Sequence, residues 1–428
     1  MSSPDLAVDP ASPTPAGVLA RLAGMMFLQS WPLGSWGVTI GAYIAANTGG
    51  LGSGAFSSGF IGYSTLAAAV GSLVSPYLVG VVGDRLVPPR WLLAGLNLAS
   101  AAAAMGLLAS ESEFAFFVWL CVYFQCYFPV VTLCNTIGLA NLNRPEQEFP
   151  LLRLYGAIGW IAAGVFVGFA WPWMFGSSIE SLRTPFAIGA VANLAMAIYA
   201  LTLPRTGPAV RLDTGPPLPR RQAGKLLADP KLRWFLVASF FACVPSMAYN
   251  NFCNPFLNHT KFPAPAAVMT LGQLSEIAVL ATMPMVLRRL SLGSLYVWGM
   301  AAWVARYGLL TAAAGTGVAW PVYLAILLHG PCFAFIYVVG PMLADRFTNH
   351  QDRGAAQGLY AVASSGLGHV VGALAVGAMQ AAVLTPDGVN PPPYDWTTFW
   401  AIASAVSVVS LVVLFRCVNP SRHSPTTD

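Results

Sequence analysis

Long apolar runs follow one another along the whole chain, separated by short segments of glycine, proline and charge. A run of roughly 20 apolar residues is what one helix needs to cross a bilayer, and inside lipid only helices and closed barrels satisfy their own backbone hydrogen bonds. Such runs lie near 22–45, 57–82, 91–109, 114–140, 151–173 and 184–204, and again near 233–258, 265–288, 293–315, 318–343, 355–384 and 396–417. Between the two sets, Pro204 to Lys231 holds Gly215-Pro-Pro-Leu-Pro-Arg-Arg221 and no apolar run, the pattern of a hydrophilic connector. The expected fold is an all-α membrane protein of twelve transmembrane helices in a 6+6 plan. Its bundles cover 21–204 and 232–418, with a cytoplasmic connector over 205–231 and cytoplasmic tails over 1–20 and 419–428.

Composition agrees, since only 9% of the 428 residues are charged, against about 25% in soluble domains. A soluble enzyme is excluded on that ground. The net charge of +5 is too small and dispersed for a nucleic-acid surface. With both termini placed in the cytoplasm, all but three of the 21 basic residues fall in cytoplasmic segments, the exceptions being Arg183, Lys261 and Arg306. This positive-inside bias supports an even number of spans in the cytoplasmic (inner) membrane. The first twenty residues are rich in Pro, Ser and Ala and lack the basic region of a signal peptide, so they read as a disordered tail. The seven cysteines sit in or beside apolar runs, without metal-ligand spacing, and read as small core residues. Walker, HExxH and Ser/His/Asp patterns are missing, so neither catalysis nor a cofactor or metal is expected. Without a nucleotide-binding domain, uphill transport must draw on an ion or solute gradient, as in a secondary carrier.

All but one of the 16 acidic residues lie in loops or tails; Glu276 sits deep in a span, three residues after Gln273. An intramembrane carboxylate is costly and marks a functional site by default. A buried ion pair with Arg306 of the next span is the structural alternative. Asn250, Asn254 and Asn258 form an amide stripe beside Tyr249, suited either to a solute or to bonding between helices. Gln125, Pro129, Thr132 and Thr136 form a similar line, read as packing or pore lining. Arg153 opens a span and could snorkel to the interface. His329 and His369 are intramembrane histidines, each readable as a hydrogen-bonded core residue or a proton relay. Trp160, Tyr249 and Phe333 are the aromatic residues placed to stack on a ligand ring.

The turn Gly80-Val-Val-Gly-Asp84-Arg85, with Arg90 five residues on, resembles the GxxxDRxxxxR signature of the major facilitator superfamily. Its charges would gate the cytoplasmic ends, although an ordinary charged turn reads similarly, and the matching turn Arg288 to Gly293 lacks the Asp. A narrower resemblance is to the bacterial nucleoside:proton symporters of that superfamily. It rests on Trp31-Pro-Leu-Gly34-Ser35-Trp36 with Gly41-Ala-Tyr43, Tyr127-Phe-Pro129 with Asn135-Thr136-Ile137, and FPxxRxxGxIG from Phe149 to Gly159. Gln273-x-x-Glu276 and Arg353-Gly-Ala-Ala-Gln357-Gly358 complete it. The resemblance implies alternating access around a nucleoside site formed by Arg153, Trp160, Asn250, Gln273, Glu276 and Phe333, with Glu276 carrying the transported proton, assisted by His329. Asp84, Arg85 and Arg90 would gate, and the carrier would work as a monomer in the bilayer.

The chain departs from that pattern at Ala334, where an Asp is expected, at His329 for Tyr, Ala157 for Thr and Met247 for Gln. With the second carboxylate gone, Glu276 and His329 must couple alone, or the protein is a facilitator. Another small polar solute such as a sugar, a non-transporting nucleoside sensor and a membrane-embedded enzyme are the competing readings.

Overall fold

The computed structural model describes residues 13–49, 52–71, 87–204, 220–348, 353–383 and 394–415. In chain order the helices are α1 (Ala16–Trp36), α2 (Ile40–Ala46), α3 (Phe60–Ser64), α4 (Pro89–Ala109), α5 (Glu113–Ala140), α6 (Pro145–Val165), which a π turn and the short helix Trp171–Phe175 extend, and α7 (Thr184–Ala200). They continue with α8 (Arg220–Ala228), α9 (Pro230–Phe241), α10 (Cys243–His259), α11 (Pro265–Leu287), α12 (Leu292–Thr316) and α13 (Trp320–Leu327). The last are α14 (His329–Phe333), α15 (Val339–Arg346), α16 (Arg353–Ala361), α17 (Leu367–Val383) and α18 (Trp396–Phe415). Among the described residues, eight helical stretches are long and apolar enough to cross a membrane. The only β pairing there is an isolated bridge between Thr48 and Phe56.

Local chemistry sets many of the boundaries. Ser112 and Ser291 cap α5 and α12 by accepting from the backbone N–H three residues on, and Asp229 caps α9 through Lys231 N–H. Proline stands in the first turn of α4, α6, α7, α9, α11 and α13, where its missing N–H costs nothing. Three spans contain a π-helical turn, at Phe166–Ala170, Ala334–Val338 and Val362–Gly366. Such turns are rare and collect at functional positions.

Packing divides the chain into two compact units, one comprising 1–38 and 70–214, the other 39–69 and 215–428. In the first, Trp36 is fully buried, edge-on to Tyr123 at 4.8 Å and beside Phe186 at 5.5 Å. Leu22, Met25, Leu93, Leu133, Ile137 and Met196 close the core below it. Two of its buried amides bond internally, Asn193 Nδ2 donating to the Tyr123 hydroxyl at 3.3 Å and Gln29 Nε2 to the Tyr127 hydroxyl at 3.1 Å, whereas Gln125 Oε1 is buried without a hydrogen-bond partner among the described residues. Thr132 and Thr136 donate back to the carbonyls one turn earlier, so on this line the threonines serve the helix itself.

The described residues begin inside the segment that composition marks as a disordered tail. Thr14 is buried; its backbone N–H and Oγ1 donate to the two Glu148 carboxylate oxygens at 2.9 and 2.6 Å, and Thr14 Oγ1 accepts from Asn143 N–H. These bonds, those from Thr14 first, hold the Glu148 carboxyl below its usual range. Residues 1–12 lie outside the described residues.

In the second unit, α10 packs against α2, α13 and α14 connect α11 to α12, and α17 lies along α3. The α3 contact is backbone to backbone. A Cβ on Gly62 would strike the Gly377 backbone and approach the Ala373 carbonyl to 2.8 Å. Large apolar side chains such as Phe114, Trp173, Val191 and Val412 are exposed on long apolar helices, a surface that requires lipid rather than water around it.

Two outcomes are expected. Gly62→Val forces α3 and α17 apart, and overpacking of this kind costs about 1–3 kcal/mol, read as a lower melting temperature in detergent. Glu148→Gln removes the charge that Thr14 binds, so amide exchange at Thr14 becomes faster at neutral pH while exchange within α5 stays unchanged.

Candidate functional site

The second unit contains a chain of polar and aromatic groups at mid-span depth, and its backbone geometry follows from two glycines. Gly272 of α11 faces the His329 side chain, where an added Cβ would approach to 3.0 Å. Gly330 of α14 rests on Ser275, where a Cβ would meet the Ser275 hydroxyl at 2.5 Å and its carbonyl at 2.6 Å. Ser275 Oγ donates to the Leu327 carbonyl at 2.5 Å and ties α11 to the end of α13, just before α14 begins. This close approach places Glu276, one residue after Ser275, beside His329: Glu276 Oε2 is 3.7 Å from His329 Nε2.

The other face of the imidazole meets Arg306 of α12. Both terminal guanidinium nitrogens lie near His329 Nδ1, at 3.5 and 3.4 Å. Arg306 is completely buried, with its Cζ 3.1 Å from the centre of the Tyr249 ring and 5.3 Å from that of Trp303. A desolvated guanidinium over an aromatic face gains about 2 kcal/mol or more. Its Nε has no hydrogen-bond partner among the described residues. The ion pair that the sequence suggests between Glu276 and Arg306 thus takes the form of a bridge, with His329 between cation and carboxylate.

Rings extend the chain of contacts. His329 and Phe333, one turn apart, stack at 5.5 Å with 25° between planes, and Tyr249 lies 5.6 Å from His329. Phe333 leads to Tyr337 at 4.9 Å, whose hydroxyl donates to Ser246 Oγ at 2.7 Å. The π-helical turn starts at Ala334, directly after Phe333, and Ala334 is fully buried, so the position where an Asp was expected brings no polar atom to the cluster.

The other sequence-derived residues are placed as follows. Gln273 is half-buried on α11, one turn before Glu276. Asn250 is exposed on α10, next to the buried Tyr249, whereas Asn254 is buried and accepts from Asn258 Nδ2 at 3.0 Å. The amide stripe therefore divides between an outward-facing member and two that bond to each other. In the first unit, Arg153 is exposed and Trp160 half-buried, two turns apart along α6. Arg90 lies over the Trp91 ring at 5.8 Å; Asp84 and Arg85 fall outside the described residues. Among the described residues, no group of three or more His, Cys, Asp or Glu side chains could hold a metal ion. Sequence reasoning missed Tyr337 and the role of Tyr249 as the platform for Arg306; the first follows His329 and Phe333 at i+4 and i+8, and that spacing was the available signal.

In this polytopic helical protein the half-buried Glu276 carboxylate is thus linked through His329 to the fully buried Arg306 cation. Comparison with known proteins gives its family. The chain matches the nucleoside H+ symporter family over residues 16–423 and belongs to it. It is 31% identical to YegT of Escherichia coli (strain K12), covering 93% of each chain, and 24% identical to the xanthosine permease of the same organism, covering 93% of this chain and 95% of that one. Among solved structures, nucleoside transporter NupG, in an Asp-to-Ala variant, superposes with a TM-score of 0.82 at 23% identity, over 94% of this chain and 100% of that one, which establishes a shared fold.

Gly330→Val is expected to push α14 off Ser275 and move His329 away from Glu276. It should lower both the melting temperature and the yield of monodisperse protein, whereas Gly308→Val, whose Cβ would meet nothing within 4 Å, should change neither.

Proposed function

We propose that the chain moves nucleosides across the cytoplasmic membrane by alternating access with proton symport, that Glu276 is the proton-binding group, and that the 6+6 plan of twelve spans with both termini cytoplasmic holds. Membership of the nucleoside H+ symporter family supports the activity. The observation that carries the assignment to Glu276 is its place at mid-span depth, 3.7 Å from His329 and next to the Phe333 ring stack. A nucleoside presents an aromatic base and a hydroxylated sugar, so it needs a ring face and amide or carboxylate groups. Phe333, Asn250, Gln273 and Glu276 supply these from the second unit, and the family pattern assigns Arg153 and Trp160 as substrate contacts from the first. The same pattern assigns gating to Asp84, Arg85 and Arg90, and the carrier works as a monomer.

The proton enters Glu276 from water on one side and leaves the same carboxylate on the other. A carboxyl in a desolvated site can hold a proton near neutral pH, which a surface carboxyl cannot. The relative known as a xanthosine permease supports a purine nucleoside as one member of the substrate class.

The decisive measurement is uptake of labelled uridine, adenosine and xanthosine into proteoliposomes with and without an imposed pH gradient. One pH unit is worth about 1.4 kcal/mol per proton, so one-to-one symport accumulates solute about tenfold. Glu276→Gln is expected to stay folded in the membrane and to lose this accumulation. Wild-type uptake that only equilibrates would instead establish a facilitator, the outcome that the apolar Ala334 favours.

A further inference from the structure

We infer that Arg306 is a positioning residue that fixes His329 as the neutral Nε2–H tautomer, so that His329 orients Glu276 and does not itself carry the transported proton. This rests on the assignment of Glu276 as the proton-binding group. The argument starts from donor and acceptor capacity. A guanidinium has five N–H donors and no acceptor, and it is charged at every accessible pH. Two of its nitrogens crowd His329 Nδ1 at 3.4 and 3.5 Å, so that nitrogen has to present a lone pair. A neutral imidazole that accepts at Nδ1 carries its proton on Nε2. Nε2 is the atom that faces Glu276 Oε2 at 3.7 Å.

A second proton on His329 would have to sit on Nδ1, donor against donor and charge against charge. The guanidinium cannot swing away to make room. It is fully buried, pressed on the Tyr249 ring at 3.1 Å and flanked by Trp303. Among the described residues, the other titratable groups around it are Tyr249 and Cys253 of α10, Tyr307 of α12 and Cys332 of α14, hydroxyls and thiols whose ordinary ionisation lies above neutral pH. None supplies a negative charge that would balance an imidazolium. The charge arithmetic therefore has two states, Arg306 balanced by the Glu276 carboxylate through a neutral ring, and Arg306 alone when Glu276 is protonated. The solute-facing polarity of the site changes with that one proton.

The test uses the full chain in proteoliposomes, with labelled uridine and adenosine, together with nitrogen-15 spectra of histidine-labelled protein. The chain has five histidines, and the spectrum of His329→Gln identifies the His329 signals by difference. His329 is expected to show the neutral Nε2–H signature throughout pH 5 to 8; a ring that becomes doubly protonated in that window, or that is Nδ1–H, overturns the inference whatever the uptake data show. In transport, His329→Gln offers an amide with one acceptor and one donor, so uptake slows several-fold while the accumulation ratio under a pH gradient persists. His329→Leu loses the ratio. Arg306→Lys keeps a donor and a charge and retains part of it, whereas Arg306→Met loses it and shifts the pH profile of solute counterflow. Loss of accumulation in His329→Gln with counterflow intact would mean that His329 carries the proton. Wild-type protein that never accumulates solute would overturn the symport reading instead, and the tautomer spectra would still decide the role of Arg306.

Discussion

A guanidinium buried without water has to be held by something, and much of the second unit is arranged around that demand at Arg306. Removing a full charge from water costs several kcal/mol even after relaxation. Here the charge is met by the faces of Tyr249 and Trp303 and the Nδ1 lone pair of His329, and through His329 by Glu276. These groups come from α10, α11, α12 and α14. The close packing of α11 on α14 through Gly272 and Gly330 brings the last two links within reach.

The arrangement explains how a carrier of this family can lack the second carboxylate. Where the family pattern expects an acid there is the fully buried Ala334, and where it expects a tyrosine there is His329. A tyrosine offers one hydroxyl, whereas an imidazole has two nitrogens on opposite sides of the ring and can accept from a cation while donating to an anion. The substitution therefore links Arg306 to the remaining carboxylate.

Aromatic stacking extends the same cluster along its helix. The series His329, Phe333, Tyr337 runs along one face at helical spacing, and the π-helical turn from Ala334 to Val338 sits within it. A π turn inserts an extra residue into the helical register and frees backbone groups, which is why such turns recur where a helix lines a site. Two further spans carry one, at Phe166–Ala170 and Val362–Gly366.

The apolar runs by themselves determined that the chain is a helical membrane protein, because only helices and closed barrels satisfy a backbone in lipid and runs of about 20 apolar residues fit the helix, and the scarcity of charge made Glu276 and Arg306 conspicuous. Motif order along the chain indicated the family. What the sequence left open was pairing: Glu276 read as a functional carboxylate, with a direct pair to Arg306 as the structural alternative, and the amide stripe read as suited either to a solute or to bonding between helices. Only the tertiary structure placed His329 between acid and cation, turned Asn250 outward from Asn254 and Asn258, and set Tyr249 beneath the guanidinium. Those outcomes depend on how closely two helices approach and how each is rotated, which is decided by contacts such as Gly330 on Ser275 between residues 55 apart in the chain. Hydropathy and spacing within a single helix carry no information about either.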